Sequence, residues 1–159
     1  MSDPKKELIS QNLLTTLRGI LKTSGYYTDA GQYVSRRREP LALWKGSNEA
    51  ELYLLIGPEI QDAGCLGEVH KSVVRYAVLG YVRDEEPDRL VCLLEADIKK
   101  AVLTDYRQGG HANNTVIADS GPLTQLTTSN MDWWETVSEK YGAVIVGFDV
   151  TYEWTVASP

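Results

Sequence analysis

The chain has 159 residues, enough for one domain that buries about two-thirds of its unfolded surface. Its 43% hydrophobic and 24% charged residues are typical of a folded globular protein and exclude general disorder. No apolar run approaches the roughly 20 residues of a membrane helix, and the first residues lack a signal-peptide core. We therefore expect a protein made in the cytoplasm, with no membrane partner.

Charge is divided unevenly along the chain. Residues 1–45 carry eight Lys/Arg against four Asp/Glu, a net charge of +4, whereas residues 46–159 carry eight against eighteen, a net charge of −10. This division favours oriented contacts with a partner, although solvated faces falling unevenly along the chain explain it equally well. The overall charge of −6 argues against tight nucleic-acid binding, which needs a basic surface.

The first third of the chain predicts a helix, a turn and a strand. Asp3 and Pro4 suit a helix start, and apolar residues recur at helical spacing until Leu21. Lys22 falls in the last turn, and Gly25 is expected to end the helix in the left-handed conformation.

Residues 26–31 are predicted to form the turn and residues 32–38 an exposed edge strand. In the turn, Asp29 is expected to bond its own backbone two residues on, and Gly31 to adopt a positive φ. The strand has no cleanly apolar face, which is typical of an edge.

Residues 41–44 and 51–56 predict short strands, and residues 57–67 a loop. Residues 68–83 form the longest predicted strand. Apolar residues occupy both of its faces, which indicates a central strand covered on both sides over part of its length.

A second helix is predicted to open at residues 84–87. Glu95 and Lys99 are spaced as an i,i+4 ion pair on it. Its apolar stripe is made of Leu90, Val91, Leu94, Ile98, Ala101 and Val102.

The last third predicts a long polar loop and a clear strand. Residues 104–130 form the loop, with a short strand at 116–118, and a loop of this length is often functional or ordered by a partner. Residues 132–141 predict one or two helical turns, and residues 144–156 alternate as a strand with one buried face. We predict a single α+β domain over residues 1–159: a small antiparallel or mixed sheet with two main helices packed on one face.

Catalytic and metal-binding patterns are absent from the sequence. His70 and His111 have no ligand at metal spacing, and Cys65 and Cys92 are expected to be buried free thiols. The chain contains no nucleophile elbow, phosphate loop or dinucleotide fingerprint. We therefore predict no enzyme activity, no cofactor and no metal.

Two groups of residues are candidates for a subunit or partner interface. The run Arg36, Arg37 and Arg38 favours salt bridges with an acidic surface, on the same chain or on another subunit, over contact with nucleic acid. Trp133 and Trp134 are adjacent, so one is expected to be buried and the other partly exposed, and exposed tryptophans favour interfaces.

The order of these elements resembles the tail terminator, or tail-completion, proteins of long-tailed bacteriophages. The resemblance rests on the turn at residues 25–31, the strand ending in the arginine run, and the hydrophobic strand after Pro40. It extends to the helix at residues 97–101 and the C-terminal strand near residues 150–152, but not to residues 57–67 or 104–130.

This resemblance implies a structural protein without catalytic residues or a cofactor. Members of the group form a ring, typically of six copies, that caps the tail tube, ends its polymerisation and joins it to the neck of the head. The implied partners are further copies of the chain, the tail tube protein and a neck or head-completion protein, with DNA passing through the ring unbound. The implied location is the head-proximal end of the virion tail.

Two other interpretations remain open. One is a neck or head-completion connector, or a tube-like tail protein, with a similar small sheet. The other is a small cytoplasmic enzyme or ligand-binding domain using Tyr26, Tyr27, His70 or His111.

Overall fold

The computed structural model describes residues 3–36, 49–61, 67–122, 141–157 and 159. Its helices are α1 (Lys5–Arg18) and α2 (Pro87–Thr104). Its strands are β1 (Val34–Ser35), β2 (Ala50–Gln61), β3 (Val69–Arg83), β4 (Asn114–Pro122) and β5 (Tyr141–Thr155). The predicted α+β class is confirmed.

The five strands form one mixed sheet in the order β1-β2-β3-β5-β4. β1 runs parallel to β2, and every other neighbouring pair is antiparallel. β3 is the central strand, and it pairs with β5 from Val69 opposite Thr155 to Arg83 opposite Tyr141. The prediction of a central strand in this region is confirmed.

The main core lies between the two helices and one face of the sheet. Even-numbered residues of β3 and β5 point to this face, because successive side chains of a strand alternate. Each large apolar side chain buried here contributes about 1.5–3 kcal/mol. The fully buried members include Ile9, Leu13, Leu17, Leu94, Ile98, Val74, Val78, Val146, Phe148 and Val150.

On the other face of the sheet, the described strand residues are buried at one end and more exposed at the other. Tyr53, Leu79, Tyr81 and Ala143 form a second buried cluster there. Towards the opposite end, β3 begins with a Val69 side chain that is 50% exposed. This uneven cover explains why the sequence of β3 is apolar at both parities only over part of its length.

The first helix ends earlier than predicted. α1 stops at Arg18 with Gly19 as its cap, and the separate 3₁₀ turn Lys22–Ser24 follows. Gly25 does take the left-handed conformation, with φ of 84°, but it ends this short turn. Buried Ile20 therefore packs into the core from outside the helix.

The predicted chemistry of the turn at residues 26–31 is wrong in two details. Asp29 accepts a hydrogen bond at 2.8 Å from the backbone N–H of Lys22 rather than bonding its own neighbours. Gly31 has no positive φ. A Cβ there would instead lie 2.5 Å from the carbonyl oxygen of Arg18 and 2.8 Å from that of Ile20. Glycine is required by close backbone approach.

The strand predicted for residues 32–38 is reduced to two residues. The 3₁₀ turn Ala30–Gln32 occupies its start, and β1 pairs only with Leu52 and Tyr53 of β2. The predicted edge position is confirmed, because β1 is the first strand of the sheet order. The predicted length was wrong, because alternation of side chains does not show over how many residues a strand pairs with its neighbour. Residues 37–48, with the strand predicted at 41–44, lie outside the described part of the chain.

Residues 57–61 were predicted as loop but belong to β2. The pairing of β2 with β3 shifts between Ile56 and Glu59, which marks a bulge at Gly57 and Pro58. A Cβ on Gly57 would lie 2.9 Å from the carbonyl oxygen of Arg75 on β3. The Gly-Pro pair therefore allows the two strands to approach each other closely, and the strand continues through it.

The segment predicted as a polar loop contains α2's last residue and the whole of β4. The polar sequence was interpreted as an exposed loop, but some of its polar side chains are buried and hydrogen-bonded. Gln108 is fully buried, donates a 3.1 Å hydrogen bond to Thr115 Oγ1 and accepts one of 3.2 Å from Asn12. Residues 123–140, with the helical turns predicted from 132, lie beyond what the structure describes, except that Tyr141 begins β5.

We predict that Leu94→Ala lowers the free energy of unfolding by about 2–5 kcal/mol, as buried leucine truncations do. Leu94 is fully buried, and its Cδ2 occupies the space that a Cβ on Gly80 would need. Urea denaturation measures the change. Leu103→Ala on the same helix is the matched control, because that side chain is 43% exposed and its truncation is expected to cost about 0.5 kcal/mol or less. Equal losses in both variants would contradict this description of the core.

Candidate partner-binding surface

A buried carboxylate on α2 holds the segment that follows α1. Asp97 is only 1% exposed, because it lies in the apolar stripe of the helix beside Ile98. Its oxygens accept hydrogen bonds from the backbone N–H groups of Tyr27, at 3.0 and 3.1 Å, and Thr28, at 2.8 Å. The Thr28 hydroxyl donates a further bond of 2.8 Å. These charge-assisted bonds fix the segment against the helix.

Lys100, one turn further along α2, holds the same segment from the other side. Its ammonium donates a 2.9 Å hydrogen bond to the carbonyl oxygen of Gly25 and lies 4.7 Å from the centre of the Tyr26 ring. Asp97 and Lys100 thus contact four consecutive residues between them. We call residues 25–28 the clamped loop.

The clamped loop exposes an aromatic side chain on a fixed backbone. The Tyr27 side chain is 62% exposed, while its own N–H is bonded to Asp97. The ring of Tyr26 is partly covered and packs against the core, beneath Lys100. An exposed tyrosine with little backbone freedom is suited to protein contact, because little order has to be gained on binding.

Asp97 was missed as a functional residue by sequence reasoning. One signal was available: an aspartate three residues after Leu94 and directly before Ile98 occupies a position that the helical period assigns to the buried face. A charged residue at such a position needs hydrogen-bond donors. The sequence does not say that they come from residues 27 and 28.

Of the five residues predicted for an interface, the structure describes only Arg36. Its Nη1 donates to both carboxylate oxygens of Glu7 on α1, at 2.8 and 3.0 Å. This hydrogen bond lowers the pKa of Glu7 from its ordinary value. Arg36 therefore has an acidic partner on its own chain. Arg37, Arg38, Trp133 and Trp134 lie outside the described residues.

Of the residues considered for an enzyme pocket, Tyr26 and His70 are used in packing. His70 on β3 stacks on Trp154 of β5 with ring centres 4.5 Å apart, and the indole N–H of Trp154 donates to Ser72 Oγ at 2.8 Å. His111 follows the 3₁₀ turn Gln108–Gly110. Within the described ranges, no three His, Cys, Asp or Glu side chains form a group that could hold a metal ion.

Two further expectations can be compared with the described residues. Cys92 is exposed on α2, so its predicted burial is wrong, because it falls outside the apolar stripe of the helix. Cys65 lies outside the described ranges. No helix in the same ranges is both long and apolar enough to cross a membrane.

A second polar cluster joins α1 to the far end of the sheet. The Tyr76 hydroxyl lies 3.0 Å from Ser10 Oγ, the Tyr152 hydroxyl donates to Glu59, and Glu59 lies 3.5 Å from Lys6. Burial raises the pKa of both tyrosines, so both stay protonated and serve as donors. Each group is satisfied within the chain, which fits a role in seating α1.

Comparison with known proteins identifies a similar fold among solved structures. No protein-family model matches the sequence, and no curated protein matches it. Among solved structures, the fold is similar to a sheath/tube terminator of an extracellular contractile injection system, PVC, determined in the extended state. The TM-score is 0.55 at 10% sequence identity, over 94% of this chain and 56% of that chain. This chain thus spans little more than half of that terminator's length, and at this identity the likeness establishes the fold.

We predict that Asp97→Ala lowers the free energy of unfolding by about 3–5 kcal/mol, because it leaves buried donors of the clamped loop without an acceptor. Asp97→Asn retains one acceptor oxygen and is expected to cost less. Urea denaturation measures both, and hydrogen exchange reports the amides of Tyr27 and Thr28. Asp88→Ala, an exposed aspartate of the same helix, is the control and should cost about 1 kcal/mol or less. Unchanged exchange at residues 27 and 28 in Asp97→Ala would contradict the clamp.

We predict that Arg36→Ala raises the pKa of Glu7 towards its ordinary value, because the arginine hydrogen bond is the main cause of the lowering. A lowered carboxyl pKa stabilises the fold above the unfolded-state pKa, and this stabilisation is lost as pH falls through the folded-state pKa. The stability difference between wild type and variant should therefore shrink in acid. Side-chain NMR titration of Glu7 gives the pKa. Lys99→Ala is the control: it should raise the pKa of Glu95, which Lys99 lowers, and leave Glu7 unchanged.

Proposed function

We propose that this chain is a structural terminator subunit that caps a tail tube and ends its polymerisation. The observation that carries the proposal is the likeness of its fold, over 94% of its length, to a sheath/tube terminator. The sequence resemblance to phage tail terminators supports the same role from independent data. Its specific residues are concentrated in residues 25–38 and in the second helix, and the Asp97 and Lys100 contacts join these two parts of the chain.

The subunit is proposed to act as a closed ring of identical copies, six in the related phage group. A ring with rotational symmetry needs two different complementary surfaces on each subunit. The opposite net charges of residues 1–45 and 46–159 support such a pair of surfaces. The ring would contact the last ring of tube subunits on one side.

On its other side the ring is proposed to meet a neck or head-completion protein, at the head-proximal end of a phage tail. DNA would pass through the ring without specific binding. A net charge of −6 suits that role, because binding to the phosphates of DNA requires several unpaired cations. No step of this role requires a cofactor or a catalytic group.

We predict that particles produced without this chain have tails of irregular, excessive length that fail to join heads, because tube polymerisation is no longer stopped. Electron microscopy of negatively stained particles measures the length distribution. A copy of the wild-type chain supplied in trans is the control and should restore a single length. Tails of normal length that still join heads in the absence of the chain would overturn the proposed function.

A further inference from the structure

We propose that the clamped loop is one half of the contact between neighbouring copies of this chain, with Tyr27 and Lys100 of one copy docking on the acidic start of α2 in the next. The proposal rests on the proposed function, because it names the surface that would build the ring. It assigns the contact to residues other than the arginine run that the sequence favoured.

The first argument is the rigidity of the loop. A fully buried carboxylate, Asp97, is used to hold the backbone of residues whose most prominent side chain, Tyr27, points to solvent. Thr28 and the Tyr26 ring are covered by the fold, whereas Tyr27 between them stays exposed on the same fixed backbone. Preorganisation lowers the entropy cost of docking, and tyrosines are enriched among the residues that dominate binding energy.

The second argument is the charge beside that tyrosine. Lys100 is exposed, and within the described part of the chain its ammonium contacts a backbone carbonyl and the Tyr26 ring. Among the described residues no carboxylate lies within 4.0 Å of it. Leu103, one turn further along α2, is 43% exposed. The surface therefore combines an aromatic ring, an apolar side chain and an unneutralised cation, which suits a partner with exposed carboxylates.

The acidic residues at the start of α2 suit a second copy of the chain as the partner. The start of α2 carries four exposed carboxylates, those of Asp84, Glu85, Glu86 and Asp88. Lys100 lies twelve helical positions after Asp88, which is about 18 Å along the axis. The two charges of opposite sign therefore cannot meet within one copy. They can meet between copies arranged head to tail, and such contacts close into a ring when the rotation per subunit permits.

Nucleic acid is the less suitable partner for the same surface. Basic grooves with stacked aromatics do bind single strands, but they use many cations along the backbone. Lys22, the other cation near the loop, already has Asp29 and Glu49 at 4.0 Å. One unneutralised lysine on a protein of net charge −6 is a weak phosphate site.

The contact can be tested with a photoreactive residue in cells that produce the particles. Tyr27→p-benzoylphenylalanine is expected to give, on irradiation, an adduct between two copies of the chain that mass spectrometry maps to residues 84–92. The control is the same substitution at Ile60, which is 71% exposed on β2, and it should give no adduct to that segment. An adduct from position 27 to DNA, to another protein or to no partner would overturn the proposal.

Charge exchange tests the pairing itself. Asp88→Lys, at an exposed position, should lower the yield of the copy-to-copy adduct about tenfold or more, because it places like charges together. The variant should stay folded with a melting temperature that is only slightly lowered, because the interaction of Asp88 with the helix start is weak. Lys100→Glu should lower the adduct yield at least as much, because it also removes the bond to the Gly25 carbonyl, and the double variant Asp88→Lys with Lys100→Glu should give more adduct than either single variant. No loss in Asp88→Lys, or no recovery in the double variant, would contradict the assignment.

These results are distinguishable from those that test the proposed function. Normal tails without the chain, together with an adduct to residues 84–92, would reject the terminator role and keep the contact. Overlong tails, together with no such adduct, would keep the terminator role and reject the contact.

Discussion

The Asp97 carboxylate is the group on which the arrangement of this protein most depends. A buried charge without donors costs several kcal/mol, so α2 can place Asp97 in its apolar stripe only if residues 27 and 28 deliver their N–H groups. That requirement fixes where the chain runs after α1. It also fixes the next turn, where Gly31 passes so close to the Arg18 carbonyl that only glycine fits. β1 can then reach its short parallel register with β2.

The sheet supplies a rigid support for this arrangement, and its two faces differ. Both helices cover one face through a single core, which positions the clamped loop at the helical side of the molecule. The other face is buried at one end and exposed at the end where Val69 and Ile60 lie. A subunit with unlike surfaces is what a head-to-tail ring requires, since each copy must present two different sides to its neighbours.

Electrostatics favours the clamped loop over Arg36 as the candidate contact surface. Arg36 is satisfied by Glu7 on its own chain, so its charge is partly neutralised before any partner arrives. Lys100 keeps its charge and holds a backbone carbonyl at the same time. Exposed ion pairs contribute little to binding, whereas an unpaired cation beside a fixed aromatic ring can still gain from a partner's carboxylate.

Local periodicity was enough to predict both helices, the central strand and the last strand, because their apolar residues repeat at 3.6 or 2 positions within one element. It also placed Glu95 and Lys99 in contact, a pair one helical turn apart. Features that depend on distant partners were not predictable in this way. The end of α1, the length of β1, the role of Gly31 and the full extent of β4 beyond the short strand predicted at residues 116–118 all follow from neighbours far along the chain. Buried polar pairs such as Gln108 with Thr115 have the sequence pattern of a loop. The clamp is the clearest case. An aspartate in an apolar stripe indicates that hydrogen-bond donors are needed, but only the packing of the folded chain brings residues 27 and 28 to residue 97, nearly 70 positions away.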